Sequence, residues 1–468
     1  MTKVMVIGLD GATFDIIMPW LDQLPTLKRM MKEGSWGVSE TIRPPSTTVG
    51  WESLTTGKNP GKTGVFDFYE FDIDGNAVPY FMGKKRNTFM WDIIAEKGKV
   101  CVLNVPTIHN PYPINGSMVA GFMNANKRKL TYPEGLQKEL NDLVGEYETD
   151  ITSIYANEKE FLENIYRVTR KKFESAMYLL EKEEWEFFML VFPEFDRIQH
   201  KFWQYLDEKH PNYRESKYKD AIKEYYIYVD SLLKEILSKS KKYTVFIISD
   251  HGFGAWNKKF HINHWLESKG LLEKKPNRGK MNKILHNLVW HPKLKPYMPS
   301  SAIKYLAKYN KTLGDQRLEW NNGTKASGGR IGANGLIRIN QNLPKEERTA
   351  IREFIISELK NDIPNIEVFK KEEIYWGEWF DSAPDLHISI DNYKCIPSSL
   401  VNSGFFSPSE VGGSHSMEGI LIAYGRGIKR DNEIKKCTIL DIAPTILSLL
   451  GRPIPNDMDG RVLSEVFV

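Results

Sequence analysis

Five short apolar runs constrain this chain more than anything else in it: residues 4–7, 100–105, 187–192, 244–248 and 420–424. They are rich in Val, Ile and Phe and do not alternate with polar residues, so as strands they must be covered on both faces. Between them, residues 158–181 and 213–238 carry the spacing of amphipathic helices. That alternation defines an α/β fold, a doubly wound, mostly parallel sheet with helices on both faces. Ligands of such sheets gather beyond the carboxyl ends of the strands, so each strand exit is the place to look for chemistry.

The alternation breaks between 256 and 380, where Pro276, Pro292, Pro296 and Pro299 are followed by a glycine-rich stretch at 323–335. This reads as an inserted cap on a core made of 1–255 and 381–468. Within it, 274–311 carries ten Lys or Arg and no Asp or Glu; the rest of the chain then holds 54 basic against 60 acidic residues, so the near-neutral total of +4 conceals a core at −6. A basic segment of this kind suits an anionic membrane surface or a solvated face, whereas the small net charge argues against specific nucleic-acid binding. With 41% apolar and 26% charged residues, disorder is excluded. Three widely spaced cysteines, Cys101, Cys395 and Cys437, form neither a disulfide framework nor a metal pair. With no leader-like or membrane-spanning run, the chain is expected to be cytoplasmic, with membrane-peripheral contact through 274–311.

Several exits end in ligand-type residues. The first reads Gly8-Leu9-Asp10-Gly11, the third Glu194-Phe195-Asp196-Arg197-Ile198-Gln199-His200, the fourth Ser249-Asp250-His251-Gly252. One carboxylate after a strand could simply cap the next helix. Three of them, two accompanied by a histidine, suit a divalent ion, and Asp196 and His200 share a face if that segment is helical. A later loop, Gly412-Gly413-Ser414-His415-Ser416, offers another imidazole. Pro44-Pro45-Ser46-Thr47-Thr48 leads into a helical pattern closed by Thr56-Gly57, placing Ser46, Thr47 or Thr48 at a helix N-terminus, where free N–H groups favour an anion.

These stretches occur in a telling order. Val4 to Gly11, Pro44-Pro45-Ser46-Thr47 with Gly61-Lys62-Thr63-Gly64, Asp196-x-x-x-His200, Ser249-Asp250-His251-Gly252, Gly413-Ser414-His415, and Thr438 to Thr445 with Met458-Asp459-Gly460 follow one another. Together they resemble the type I phosphodiesterase/nucleotide pyrophosphatase family of the alkaline phosphatase superfamily. The resemblance implies two divalent metal ions, one held by Asp196, His200 and His415, the other by Asp10, Asp250, His251 and the nucleophilic hydroxyl. Alignment on Thr56-Gly57 makes that hydroxyl Thr47, with Thr48 as runner-up. Zn²⁺ suits the imidazoles, while Mn²⁺ tolerates the same aspartates.

The implied activity is phosphodiester hydrolysis through a phosphothreonine, on a phosphate-ester substrate. Phosphomonoesterases and phosphate-shifting mutases share these ligands and stand as alternatives, as does a non-catalytic binder of phosphorylated ligands or anionic surfaces. One position departs from the family pattern: Phe68 stands where the nucleotide pyrophosphatases carry an asparagine that donates to a phosphate oxygen. Arg197 and Asn104 are candidate substitutes for it. Trp51, Phe68, Tyr69, Trp203 and Trp256 are candidates to stack on a base, and His261 and His264 have no assigned role.

Overall fold

The computed structural model describes residues 2–71, 77–80, 86–122, 129–151, 157–273, 324–328, 335–398, 404–409 and 412–468. The basic segment 274–311 lies outside the described residues. Among the described residues the principal sheet has ten strands. From one edge they run Asn432–Glu433, Ser35–Glu40, Glu418–Tyr424, Tyr243–Ile248, Lys3–Leu9, Phe187–Phe192, Val100–Leu103, Gly116–Val119 and Thr131–Tyr132, and Cys437–Thr438 also pairs with Ser35–Glu40. The central strands are parallel; Glu418–Tyr424 and Thr131–Tyr132 run antiparallel to their neighbours.

The non-alternating runs are buried on both faces. In Lys3–Leu9, Met5, Ile7 and Leu9 join a core with the helices Glu158–Lys182 and Ala221–Lys239. Val4 and Val6 face the opposite core, which contains Trp51 and the helices Met90–Ala95 and Ile442–Leu449. This is the doubly wound sheet expected from the sequence.

Two boundaries differ from expectation. The strand that starts at Val100 stops at Leu103 because Asn104 adopts φ +59°, which no strand continues through. The helix expected over 213–238 begins at Ala221, since turns bonded from Tyr213 N–H to the His210 carbonyl and from Lys219 N–H to the Ser216 carbonyl precede it.

The inserted region builds a second sheet, of seven strands among the described residues, with its own core, including Phe260, Trp265, Ile337, Ile355 and Ile388. This sheet also takes in Leu386–Ile390, Cys395–Ser398 and Phe406–Pro408. The second unit therefore extends well past residue 380, because Ile366–Lys370 pairs along the whole of Leu386–Ile390 and Lys258–His261 pairs with the two strands that follow. Phe66, Tyr375 and Ala383 join it to the core.

Candidate active site

Three adjacent parallel strands each present an aspartate at the same end. In register, Gly8 lies beside Ile248 and Leu9 beside Phe192, so Asp10, Asp250 and the start of the helix Glu194–Leu206 emerge together. That helix places Asp196 and His200 one turn apart, as their spacing predicts. His415 arrives from far along the chain. Its strand Gly413–Ser416 pairs antiparallel with Gly252–Ala255, setting His415 opposite Phe253 and stacking its ring on His251, with centroids 3.7 Å apart.

All six metal-ligand candidates meet at this end of the sheet. His415 Nε2 and His200 Nε2 lie 3.0 and 3.2 Å from Asp196 Oδ1, and 3.1 Å from each other. His251 Nε2 lies 3.3 Å from Asp250 Oδ2 and 3.6 Å from Asp10 Oδ1. Two groups of donors each close enough for one ion follow, Asp10–Asp250–His251 and Asp196–His251–His415, with His200 beside the second.

Backbone carbonyls set the histidines' orientation. His200 Nδ1 donates to the Gly413 carbonyl at 2.7 Å, His415 Nδ1 to Pro45 at 2.8 Å, and His251 Nδ1 to Gly252 at 2.9 Å. A carbonyl can only accept, so each Nδ1 carries a proton and each ring turns its Nε2 into the site. Asp10 Oδ1 and Asp250 Oδ2 are buried there without a hydrogen-bond partner. Burial, then neighbouring carboxylates, pushes Asp10 and Asp250 well above the ordinary carboxylate range. Burial also depresses His251. At Asp196 burial acts upward, but His200 and His415 outweigh it and hold the carboxyl well below its usual range. Bound cations would satisfy this donor set, in which hard oxygens and imidazoles occur together.

The hydroxyl comes from the helix Thr47–Thr56, with Thr47 at its first position and Ser46 as N-cap. Thr47 Oγ1 donates to His251 Nε2 at 3.2 Å, whereas the Thr48 hydroxyl is buried away from any partner. The helix can approach because of two glycines. A Cβ on Gly50 would meet the Asp250 carbonyl at 3.0 Å, and one on Gly8 would lie 2.4 Å from the Trp51 ring. Other family-like motifs brace this helix. Asp459 accepts from Asn59 N–H at 2.8 Å and from Lys62 Nζ at 2.6 Å, and its own N–H donates to the Gly57 carbonyl.

Several sequence candidates play other parts. Arg197 grips Asp150 through Nη2 at 3.0 Å and Asp196 Oδ2 through Nη1 at 3.1 Å. Asn104 accepts from the Tyr147 hydroxyl at 2.7 Å. Trp203 packs on Phe253, and Trp256 donates its indole N–H to the Lys258 carbonyl. His261 bonds Ser407 Oγ in the second sheet, and His264 sits in the adjoining helix Ile262–Ser268. Phe68 and Tyr69 make no hydrogen bond to the ligand set. Trp51 does not stack on anything in the site; its indole N–H donates to Asp10 Oδ2 at 3.0 Å. Sequence reasoning missed this role, although its position one turn after Thr47 was the available signal. It also missed Gln199, which donates to the Gly11 carbonyl and accepts from Tyr226.

An open α/β sheet with an Asp/His cluster and a helix-borne threonine at its carboxyl end defines an alkaline-phosphatase-like architecture. Solved structures agree in fold. Murine ectonucleotide pyrophosphatase/phosphodiesterase 5, inactive and in complex with AMP, matches with a TM-score of 0.53 at 14% identity, covering 100% of both chains. Wild-type alkaline phosphatase PafA matches with a TM-score of 0.54 at 15% identity, covering 100% of this chain and 99% of that one. Phosphonoacetate hydrolase from Sinorhizobium meliloti 1021, in complex with phosphonoformate, matches with a TM-score of 0.56 at 12% identity over 96% and 95%. None of the curated proteins compared matches the chain. The model of the type I phosphodiesterase/nucleotide pyrophosphatase family matches residues 4–396, and the chain belongs to that family. Its reaction class is thus phosphoester hydrolysis.

Proposed function

We propose that the protein is a two-metal phosphodiester hydrolase that works through Thr47. The observation that carries this reading is the convergence of three inward-turned Nε2 atoms and two partnerless carboxylate oxygens at one end of the sheet, where the Thr47 hydroxyl bonds His251 Nε2. Asp10, Asp250, His251 and Thr47 would hold one ion, and Asp196, His200 and His415 the other; Zn²⁺ suits the imidazoles best. When bound, the ions supply Lewis acidity that lowers the pKa of the hydroxyl and offsets the charge developing on phosphate.

The chain's own residues do the rest. The first turn of the helix Thr47–Thr56 presents free N–H groups to an anionic ester. Thr47 Oγ, its proton lost to solvent, bonds to phosphorus as the bond to the leaving alcohol breaks and that alcohol takes up a proton. Water then attacks the phosphothreonine, breaking the Thr47 Oγ–phosphorus bond and releasing a phosphate monoester. Trp51 and the three carbonyls keep the ligands oriented throughout.

The test compares bis(4-nitrophenyl) phosphate with 4-nitrophenyl phosphate on metal-loaded protein, for wild type and Thr47→Ala. A preference for the diester, lost by about 10³ or more in the variant, is expected for a nucleophile. A preference for the monoester, or wild-type rates in Thr47→Ala, overturns it.

A further inference from the structure

Each aspartate of the ligand set keeps one oxygen towards the site and has the other bound by a donor. The Trp51 indole N–H binds Asp10 Oδ2 at 3.0 Å, Gly11 N–H binds Asp250 Oδ1 at 3.3 Å, and Arg197 Nη1 binds Asp196 Oδ2 at 3.1 Å. The first two donors are neutral, whereas the third is a guanidinium. Its bond is charge-assisted and leaves Asp196 Oδ1 to the imidazoles of His200 and His415, at 3.2 and 3.0 Å.

Helix geometry alone does not deliver this contact. Neighbouring residues point about 100° apart on a helix, so Arg197 has to be turned back onto Asp196. Asp150 turns it. Its Oδ2 accepts from Nη2 at 3.0 Å and its Oδ1 from Nε at 3.3 Å, a two-point grip that fixes the plane of the guanidinium. The centre of the Phe122 ring lies 4.7 Å from the guanidinium carbon.

Asp150 is held in place in turn. Tyr147 donates its hydroxyl to Asn104 Oδ1 at 2.7 Å, and Glu148 accepts from Arg167 Nη2 at 2.8 Å and from Lys171 Nζ at 2.9 Å. The Thr149 carbonyl accepts from Lys172 Nζ at 3.0 Å, and Asp150 Oδ1 accepts from Ile151 N–H at 2.8 Å. The segment 147–150 is thus anchored both to the exit of the strand Val100–Leu103 and to the helix Glu158–Lys182. We infer that Arg197 is a positioning residue for the ion at Asp196, His200 and His415, and that Asp150 acts on that ion through Arg197. With Oδ2 bound, Asp196 offers a single oxygen in a fixed direction; without Arg197 the carboxylate rotates. The inference rests on the two-metal reading above.

The test is equilibrium dialysis of the metal-free full chain against buffered Zn²⁺, with bound ions counted per chain. The wild type is expected to take up two. Arg197→Met keeps the apolar stem and removes the guanidinium; it should weaken one ion by about 10–100-fold and leave the other at wild-type affinity, which also shows that the variant is folded. Asp150→Asn should weaken a single ion as well, and the double variant should match Arg197→Met within about twofold, because residues that act through one another are not additive. Two ions untouched by Arg197→Met, or an Asp150→Asn effect that adds to it in full, overturn the assignment. If Arg197→Met loses both ions, Asp150→Asn decides: one ion weakened supports the assignment, and none or both overturns it. A wild type that takes up fewer than two ions overturns the two-metal reading and the assignment with it.

Discussion

Trp51 and Asp10 are joined by an indole N–H that donates to Oδ2 at 3.0 Å, deep in the core and one helical turn from Thr47. The bond occupies the outer oxygen of Asp10 and leaves Oδ1 facing the site. It also ties the nucleophile's helix to the first strand, so hydroxyl and ligand are positioned by one contact. Trp51→Phe retains most of the packing and removes the donor. Metal affinity is expected to fall by about 10–100-fold. Metal titration followed by activity checks this; unchanged affinity would show the bond to be incidental.

Metal removal should destabilise the protein, and more so at high pH. In the metal-free fold, burial and like charge raise Asp10 and Asp250, so the native state keeps protons that the unfolded chain releases above the ordinary carboxylate pKa. The stability these groups contribute is present at low pH and is lost as pH rises through their raised values. His251, depressed by burial, acts with the opposite sign, losing stability as pH falls through the ordinary imidazole pKa; Asp196, held low by His200 and His415, does so only below the ordinary carboxylate range, so between pH 5 and 8 one group stands against two. Metal binding displaces the carboxyl protons. The gain in Tm on adding Zn²⁺ is therefore expected to grow from pH 5 to pH 8, as scanning calorimetry with and without chelator would record.

Asp459 holds together three donors: Asn59 N–H, Lys62 Nζ and the Trp376 indole N–H at 2.8 Å. It braces the C-terminal end of the helix that starts at Thr47. Asp459→Ala should cost about 1–3 kcal/mol of stability, because the buried Asn59 N–H and the half-buried Lys62 ammonium are left unmatched, while the exposed Trp376 N–H can turn to water. Urea unfolding measures it, and a change within 0.5 kcal/mol, about the level of an ordinary surface substitution, would refute the bracing role.

Lys172 and Glu194 form an ion pair at 2.6 Å with both side chains fully buried, at the start of the helix that carries Asp196 and His200. Breaking one half strands the other charge. Lys172→Met is expected to destabilise by about 3–5 kcal/mol, and adding Glu194→Leu to restore part of that loss. Chemical denaturation of the three proteins tests this. A double variant no more stable than the single one contradicts it.

Much of the fold was legible because its signals are local. An uninterrupted apolar run such as Phe187–Phe192 has to be covered on both faces wherever it lies, and Met5 and Val6 do reach opposite cores. The ends of elements were less legible. The left-handed turn at Asn104 and the turns before Ala221 depend on bonds to distant or irregular backbone. The boundary of the inserted unit depended on which strands pair, and Ile366–Lys370 draws Leu386–Ile390 into the second sheet.

The residue types at the candidate site, and the order in which they occur, were determined by the sequence alone. Asp196 and His200 needed only a helix to meet, since four residues make one turn. Only the tertiary structure decided that His415 stacks on His251, that Pro45, Gly413 and Gly252 turn three imidazoles inward, and that Trp51 serves Asp10 rather than the solvent side of the site. The reason is physical. Local spacing sets which residues share a face, whereas a hydrogen bond between residues 41 positions apart, or a ring contact across 164, exists only once strand order and packing have brought those atoms within about 3–4 Å.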